Sequence, residues 1–192
     1  LQTGMSELDS FLKDTKHTLQ MIEQINDEIE EGKITLDGVA LVTLDVESMY
    51  TNMSKELGTE ASKDFLNMRT FQEDGQPVST NSILAALDLC LNKNFFKFNE
   101  KIYKQIRGVG TGIKLAPTFA CLGLGKFEEL VFNSRQDLVN KILKWKRFID
   151  DVLTLFRGTE EECADFVNWL NSLMPGIVKF KYEYSEKQGR VF

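Results

Sequence analysis

Three carboxylates stand out in this sequence because of where they fall. Asp45 closes the apolar run Val39-Ala40-Leu41-Val42-Thr43-Leu44, and Asp150-Asp151 interrupts two more, Phe148-Ile149 and Val152-Leu153-Thr154-Leu155-Phe156. An ionised carboxylate taken out of water without a partner costs several kcal/mol, or shifts its pKa and neutralises. On its own, Asp-Asp between two short strands also reads as an ordinary hairpin turn, because Asp bonds its own backbone and tolerates turn geometry. If Asp45 and the Asp150-Asp151 pair lie side by side on neighbouring strands, the three charges repel one another unless cations sit between them. Mg²⁺ suits all-oxygen ligation and keeps water and substrate phosphate in its shell. Two such ions about 3.5–4 Å apart activate an attacking hydroxyl and stabilise a leaving oxygen, so this spacing points to nucleotidyl transfer.

The remaining elements must position those groups. Leu19, Ile22, Ile25 and Ile29 mark one face of a helix, started by the capping-box spacing Ser6-Glu7-Leu8-Asp9 and closed at Glu30-Glu31-Gly32. His17 on that helix reads as an ordinary histidine. Residues 39–46 form a near-continuous apolar run with the branched side chains of a buried strand. Ser54 caps a helix with Leu57, Ala61, Phe65 and Met68 inward, and Arg69 to Ser79 reads as a surface loop. Thr80 or Asn81 caps another helix, carrying Ile83, Leu84, Leu87, Cys90 and Leu91. Phe95–Phe98 and Lys101–Ile106 flank Asn99-Glu100 as a hairpin. A glycine-punctuated loop, Arg107 to Leu115, leads through Ala116-Pro117 into a helix whose Gly123 and Gly125 imply close approach of another backbone or side chain. Strand, Asp-Asp turn and strand follow. Thr159-Glu160-Glu161-Glu162 is a capping box before a helix with Phe166, Trp169, Leu170 and Leu173 inward, and Val178 to Tyr184 alternates as a half-buried strand. No repeat or flexible linker interrupts the chain, so the expected fold is one α+β domain, antiparallel strands with helices packed on one face.

Composition removes several alternatives. The 192 residues are enough for one sizeable core, and no apolar run approaches the ~20 residues of a membrane helix. With no signal peptide pattern, an intracellular chain is expected. Cys90, Cys121 and Cys163 are widely spaced in apolar helical patterns, which fits reduced core residues and neither a zinc site nor disulfides. A net charge of −6 counts against autonomous nucleic-acid binding by phosphate neutralisation, but not against a metal-centred acidic site. The chain opens at Leu1 and stops in strand-like sequence at Phe192, so a segment of something longer is expected.

The residues also carry a family resemblance. Asp45-Val46-Glu47-Ser48-Met49-Tyr50, the glycine loop ending in Ala116-Pro117, and Phe148-Ile149-Asp150-Asp151 resemble motifs A, B and C of a reverse-transcriptase palm, in that order. The wording around motif A through Tyr50-Thr51-Asn52, the stretch Lys101-Ile102-Tyr103-Lys104-Gln105-Ile106-Arg107-Gly108, and Lys144-Trp145-Lys146-Arg147 before motif C are similar to Penelope-like retroelements, relatives of telomerase. The resemblance spans nearly all of residues 1–192 and implies a palm with part of the fingers; upstream finger motifs, a thumb and a GIY-YIG endonuclease would lie elsewhere.

It implies an RNA-directed DNA polymerase that uses two Mg²⁺ ions, or Mn²⁺, an RNA or DNA template-primer and dNTPs, with no membrane partner and a nuclear location. Asp45 and Asp150 would be direct metal ligands, Asp151 a weaker or second one, and the Val46 carbonyl another. Tyr50 would be the steric gate against a ribose 2′-hydroxyl. Gly112 would let backbone approach the nascent base pair, and Ala116 and Pro117 would open the following helix. Thr111 departs from the expected Gln or Met. A motif D lysine would be sought among Lys187, Lys179 and Lys181, all three of which read first as solvated strand lysines. The alternative is a decayed or domesticated palm that only binds nucleic acid or protein.

Overall fold

The computed structural model describes residues 15–68, 72–73 and 76–186. The Ser6-Asp9 capping box, the side chain of His17, Asp74-Gly75 and Lys187 lie outside the described residues. In chain order the elements are α1 (Thr15–Glu30), β1 (Val39–Val46), α2 (Met49–Asn52), α3 (Lys55–Asn67), β2 (Gln72–Glu73), β3 (Gln76–Pro77), α4 (Thr80–Asn92), β4 (Phe95–Phe98), β5 (Lys101–Lys104), α5 (Ala116–Phe132), α6 (Gln136–Val139), β6 (Ile142–Phe148), β7 (Asp151–Arg157), α7 (Glu160–Leu173) and β8 (Phe180–Ser185). They divide into two compact units. Leu1–Glu47, Glu128–Pro175 and Lys179–Phe192 form the first; Ser48–Phe127 and Gly176–Val178 form the second.

The first unit is built on a four-stranded antiparallel sheet in the order β6-β7-β1-β8. Side chains alternate along a strand, so each cross-strand row belongs to one face. One face carries Phe148, Asp151, Asp45 and Lys181, then Lys146, Leu153, Thr43 and Glu183, then Lys144, Leu155, Leu41 and Ser185. The other carries Arg147, Val152, Leu44 and Tyr182, then Trp145, Thr154, Val42 and Tyr184. On the first face, Met21 and Ile25 of α1 pack with Val39 and Leu155, flanked by Ile22, Ile29, Leu41 and Leu153. This apolar cover stops short of the Asp45 row. On the second face, Phe166 of α7 meets Phe156 with ring centroids 5.5 Å apart, and both are fully buried, worth about 1.5–3 kcal/mol each. The α+β antiparallel architecture is therefore as expected, and in this unit helices lie on both faces where one was expected. The alternation in β1 allows this, because its odd positions are apolar up to Leu41 and polar beyond it.

Local start signals hold where they are self-contained. Thr159 and Glu162 form the expected capping box. In the second unit the Ser54 hydroxyl accepts from the Leu57 amide at 3.2 Å, while α4 is preceded by Ser79 rather than capped by Thr80 or Asn81. A Cβ at Gly123 would lie 2.5 Å from the Met53 sulfur, and one at Gly58 2.2 Å from the Phe119 ring, so two glycines let α3, α5 and the Met53 turn close up. At Gly125 the expected close approach is absent; the space is open. Ser134 to Leu143, which gave no clear pattern, contains the short α6 and the start of β6.

Several inward faces are rotated from expectation. On α1 the buried residues are Met21 and Ile25, while Leu19 is exposed; on α3 they are Gly58, Ala61, Ser62 and Leu66, while Met68 is exposed. Of the cysteines expected in the core, Cys163 is buried, Cys121 half-buried and Cys90 exposed. Burial, reinforced by Glu160, pushes the Cys163 thiol up to about 11, which leaves it protonated and inert. Among the described residues no helix is long and apolar enough to cross a membrane.

Candidate functional site

The carboxylates singled out in the sequence meet at the uncovered end of the first unit's sheet. Asp45 is the seventh residue of β1 and Asp151 the first of β7, and the two are directly opposed Cα partners on the same face. Phe148 pairs with Asp151, so the closing turn consists of Ile149 and Asp150. This corrects the Asp-Asp turn: Asp150 is in the turn, but Asp151 is strand, held there by its register with Asp45. The Asp150 carbonyl accepts from the Val46 amide at 3.2 Å, which ties the turn to the end of β1, and the Val46 side chain is buried.

That turn is strained and pinned. Ile149 has φ 57°, a region that costs a branched L-residue about 1–2 kcal/mol. Arg147 reaches round to it, Nη1 donating to the Ile149 carbonyl at 3.0 Å. The same guanidinium donates from Nε and Nη2 to the two oxygens of Glu128 at 2.8 and 3.1 Å, and Trp145 Nε1 adds a bond to Glu128 at 2.8 Å. Arg147 and Glu128 are 4% and 2% exposed, so this bidentate pair is a fully desolvated anchor on the sheet's far face, directly behind the carboxylates.

The electrostatics of the open face are those of crowded negative charge with cations at one side. Burial, then Asp150, then Asp45 push the Asp151 carboxyl above its ordinary range. Like charges directly opposite on adjacent strands are destabilising, and here the strand register imposes them. On the other side of Asp45 stands Lys181, whose ammonium lies 2.5 Å from Glu47, while Lys179 lies 2.6 Å from the same carboxylate. Those two lysines hold Glu47 below its ordinary value, and Glu47, with help from Asp45, raises Lys181. A cleft of about 750 Å³ opens over these rows, bordered by Thr18 and Met21 of α1 and by Thr43, Asp45, Lys146, Phe148, Asp151 and Lys181. Among the described residues no three His, Cys, Asp or Glu side chains are arranged to hold a metal by themselves. A divalent ion at Asp45 and Asp151 would complete its shell with carbonyl, water or phosphate oxygens, the usual situation for Mg²⁺.

The other sequence-selected residues belong to the second unit. Tyr50 lies half-buried on α2, just after Ser48, which has φ 51°. Its carbonyl accepts from the Val109 amide at 2.8 Å. Gly108, at φ 70°, is where the glycine loop presses in: a Cβ there would sit 2.5 Å from the Tyr50 oxygen and 2.4 Å from that of Thr51. At Gly112 the space is open, so the reason for a glycine there is not steric within the chain. Ala116 is fully buried at the start of α5, and Pro117, exposed, is the second helical residue, where a missing amide hydrogen costs nothing.

No family model matches the chain, and no curated protein matches it either. Solved structures do. The apo telomerase from Candida tropicalis truncated from its C-terminal domain superposes with a TM-score of 0.65 at 16% identity, over 93% of this chain and 37% of that one. Telomerase from Candida albicans in complex with the TWJ fragment of telomeric RNA gives 0.68 at 14% identity, over 94% of this chain and 32% of that one. This chain has a reverse-transcriptase-like polymerase fold. An RNA-dependent RNA polymerase solved with dsRNA is a more distant likeness, with a TM-score of 0.50 at 14% identity over 91% of this chain and 19% of that one. The chain spans about a third of the length of the telomerases it matches. Within this fold, sequence reasoning missed Glu128, the strain at Ile149 and the packing role of Gly108. A carboxylate among apolar helix residues, Phe127-Glu128-Glu129-Leu130, was the available signal for the first.

Proposed function

We propose that this chain is the palm, with part of the fingers, of an RNA-directed DNA polymerase of the Penelope-like retroelement type. The observation that carries the reading is the forced opposition of Asp45 and Asp151 at the open end of the sheet, with Asp150 in the adjoining turn. A protein has little reason to set carboxylates against each other on a partly exposed face unless a cation is to be received there. Asp45, Asp150, Asp151 and the Val46 carbonyl would hold two Mg²⁺ ions, which supply activation of a primer 3′-hydroxyl and stabilisation of departing pyrophosphate. Tyr50 would exclude ribonucleotides. Gly112, Ala116 and Pro117 would border the template-primer. The likeness to a telomerase solved with RNA supports a nucleic-acid partner for this chain as well.

The test is primer extension on an RNA template with dNTPs by the longest natural chain containing these 192 residues. Asp150→Asn should lower incorporation by about 100- to 1,000-fold, the scale of losing a transition-state charge stabiliser. Equal incorporation by the two proteins would sink the assignment. A palm that only binds would show no Asp150-dependent uptake of Mg²⁺ or Mn²⁺ in a titration.

A further inference from the structure

The β4–β5 hairpin of the second unit is exposed along the whole of both strands. Phe98 is 68% and Ile102 75% exposed, and Phe95, Phe96 and Tyr103 lie open beside them. Soluble chains rarely leave so much large apolar surface on one element unless it meets something, and a two-stranded hairpin alone is marginal in water. The strands are paired so that each face mixes rings with ammonium groups. Phe96 stacks on Tyr103, centroids 5.5 Å apart and planes 18° off parallel, next to the opposed Phe98 and Lys101. On the reverse, Phe95 opposes Lys104 and Lys97 opposes Ile102. From Phe95 to Arg107 the chain carries four cationic residues and one carboxylate, within a sequence of net charge −6.

We propose that this hairpin binds an unpaired nucleic-acid strand, whose bases stack on Phe96, Phe98 and Tyr103 of one face while Lys101, on that same face, meets its phosphates. Flat rings for sequence-independent stacking, interleaved with cations along a backbone track, are the two components that single-strand binding requires. Charge complementarity selects this occupant. A dry protein interface would bury lysines on either face, where interface cores are depleted of them. A bilayer would have to admit the hairpin tip first, and the tip is Asn99-Glu100, a carboxylate with its neighbouring amide. Because the platform reads ring faces and phosphates and not the sugar, it takes RNA and DNA alike. It needs no divalent ion, so it stands or falls independently of the polymerase reading.

The experiment is fluorescence anisotropy of labelled oligo(rU) and oligo(dT) of about 12 nucleotides against the 192-residue chain in EDTA. Both should bind. The double variant Phe96→Ala, Tyr103→Ala should weaken binding about tenfold or more, and Phe96→Leu, Tyr103→Leu, which keeps apolar bulk and removes stacking, should do likewise. Replacing Lys101 by Ser should lower the slope of log affinity against log salt by about 0.7. Photocrosslinks from thio-substituted uridine or thymidine should map to residues 95–104. The proposal is overturned by ring variants that bind as the parent does, by crosslinks elsewhere, or by neither oligonucleotide binding. Sedimentation showing a dimer that the ring variants abolish, without oligonucleotide binding, would assign the face to a second copy. Capture on phosphatidylserine vesicles without oligonucleotide binding would assign it to a membrane.

Discussion

The β6–β7 and β4–β5 hairpins are each closed by two residues, yet their turns reflect opposite choices. In β4–β5 both turn residues, Asn99 and Glu100, have positive φ, 46° and 62°, the pattern of the turn that best matches strand twist, and Asn suits it. Among the described residues nothing buried anchors those strands; Asn94, Gln105 and Arg107 fasten only the base, through bonds of 2.7 and 3.0 Å. In β6–β7 the first turn residue is Ile149, a poor choice for positive φ, and the strand behind it is anchored by the Glu128–Arg147 pair. Where the backbone is held against its preference, the surrounding structure must over-determine it, and such sites cluster where function fixes geometry. The relaxed hairpin presents a surface; the strained one presents a single group, Asp150, in one place.

Five variants would break or sharpen that contrast. The largest effect belongs to Glu128→Ala, which leaves Arg147 buried without its partner and Trp145 without its acceptor; a loss of about 3–5 kcal/mol is expected in urea unfolding. Replacing both partners, Glu128→Leu with Arg147→Met, should recover most of that stability but not incorporation, because removing Arg147 unpins the Ile149 carbonyl. Recovery of both would reduce the pair to packing. Next, Asn99→Ile transplants the strain to the hairpin that has no anchor. It should cost about 1–2 kcal/mol, visible as faster amide exchange from Phe96 to Tyr103 with little change elsewhere.

A smaller effect, of opposite sign, is expected for Asp151→Asn. A carboxyl whose pKa is raised on folding keeps its proton to higher pH in the folded state, so its ionised form weakens the fold once the pH exceeds the raised value. The variant should therefore melt at a higher temperature than the parent at neutral pH. That gain should fade as pH falls and vanish below the ordinary value of 3.8. An unchanged melting temperature at neutral pH would show that the opposed carboxylates cost nothing. Smallest is Glu100→Gly, which makes the favoured Asn-Gly turn and should tighten the exposed hairpin by about 0.5 kcal/mol.

What the sequence discloses here is mostly what a few adjacent residues decide. The bounds of β1 follow from one apolar run, the Thr159 cap from four consecutive residues, and the β4–β5 hairpin from two runs about a turn. The carboxylate trio was legible because each member breaks an apolar run. What stayed hidden depends on partners far along the chain. Asp151 is strand and not turn because Asp45, more than a hundred residues earlier, pairs with it. Glu128 reads as one more acidic helix residue until the sheet brings Arg147 and Trp145 onto it. On α1 the buried face runs through Met21 and Ile25, and Leu19, two residues before Met21 and so nearly opposite it around the helix, is exposed. Helical periodicity gives a stripe, and only the partner surface decides its angle.

The alternation of the central strand also has a hereditary side. Gaining or losing one codon inside β1 ahead of Asp45 would exchange the sheet's faces from that point on, turning Asp45 toward the packed side and Leu44 out to the cleft. A codon gained in the Leu36-Asp37-Gly38 turn or at Asn99-Glu100 would lengthen a connection and leave every row intact. Insertions and deletions in this gene should therefore accumulate in its turns, while β1 admits substitution but not a change of length.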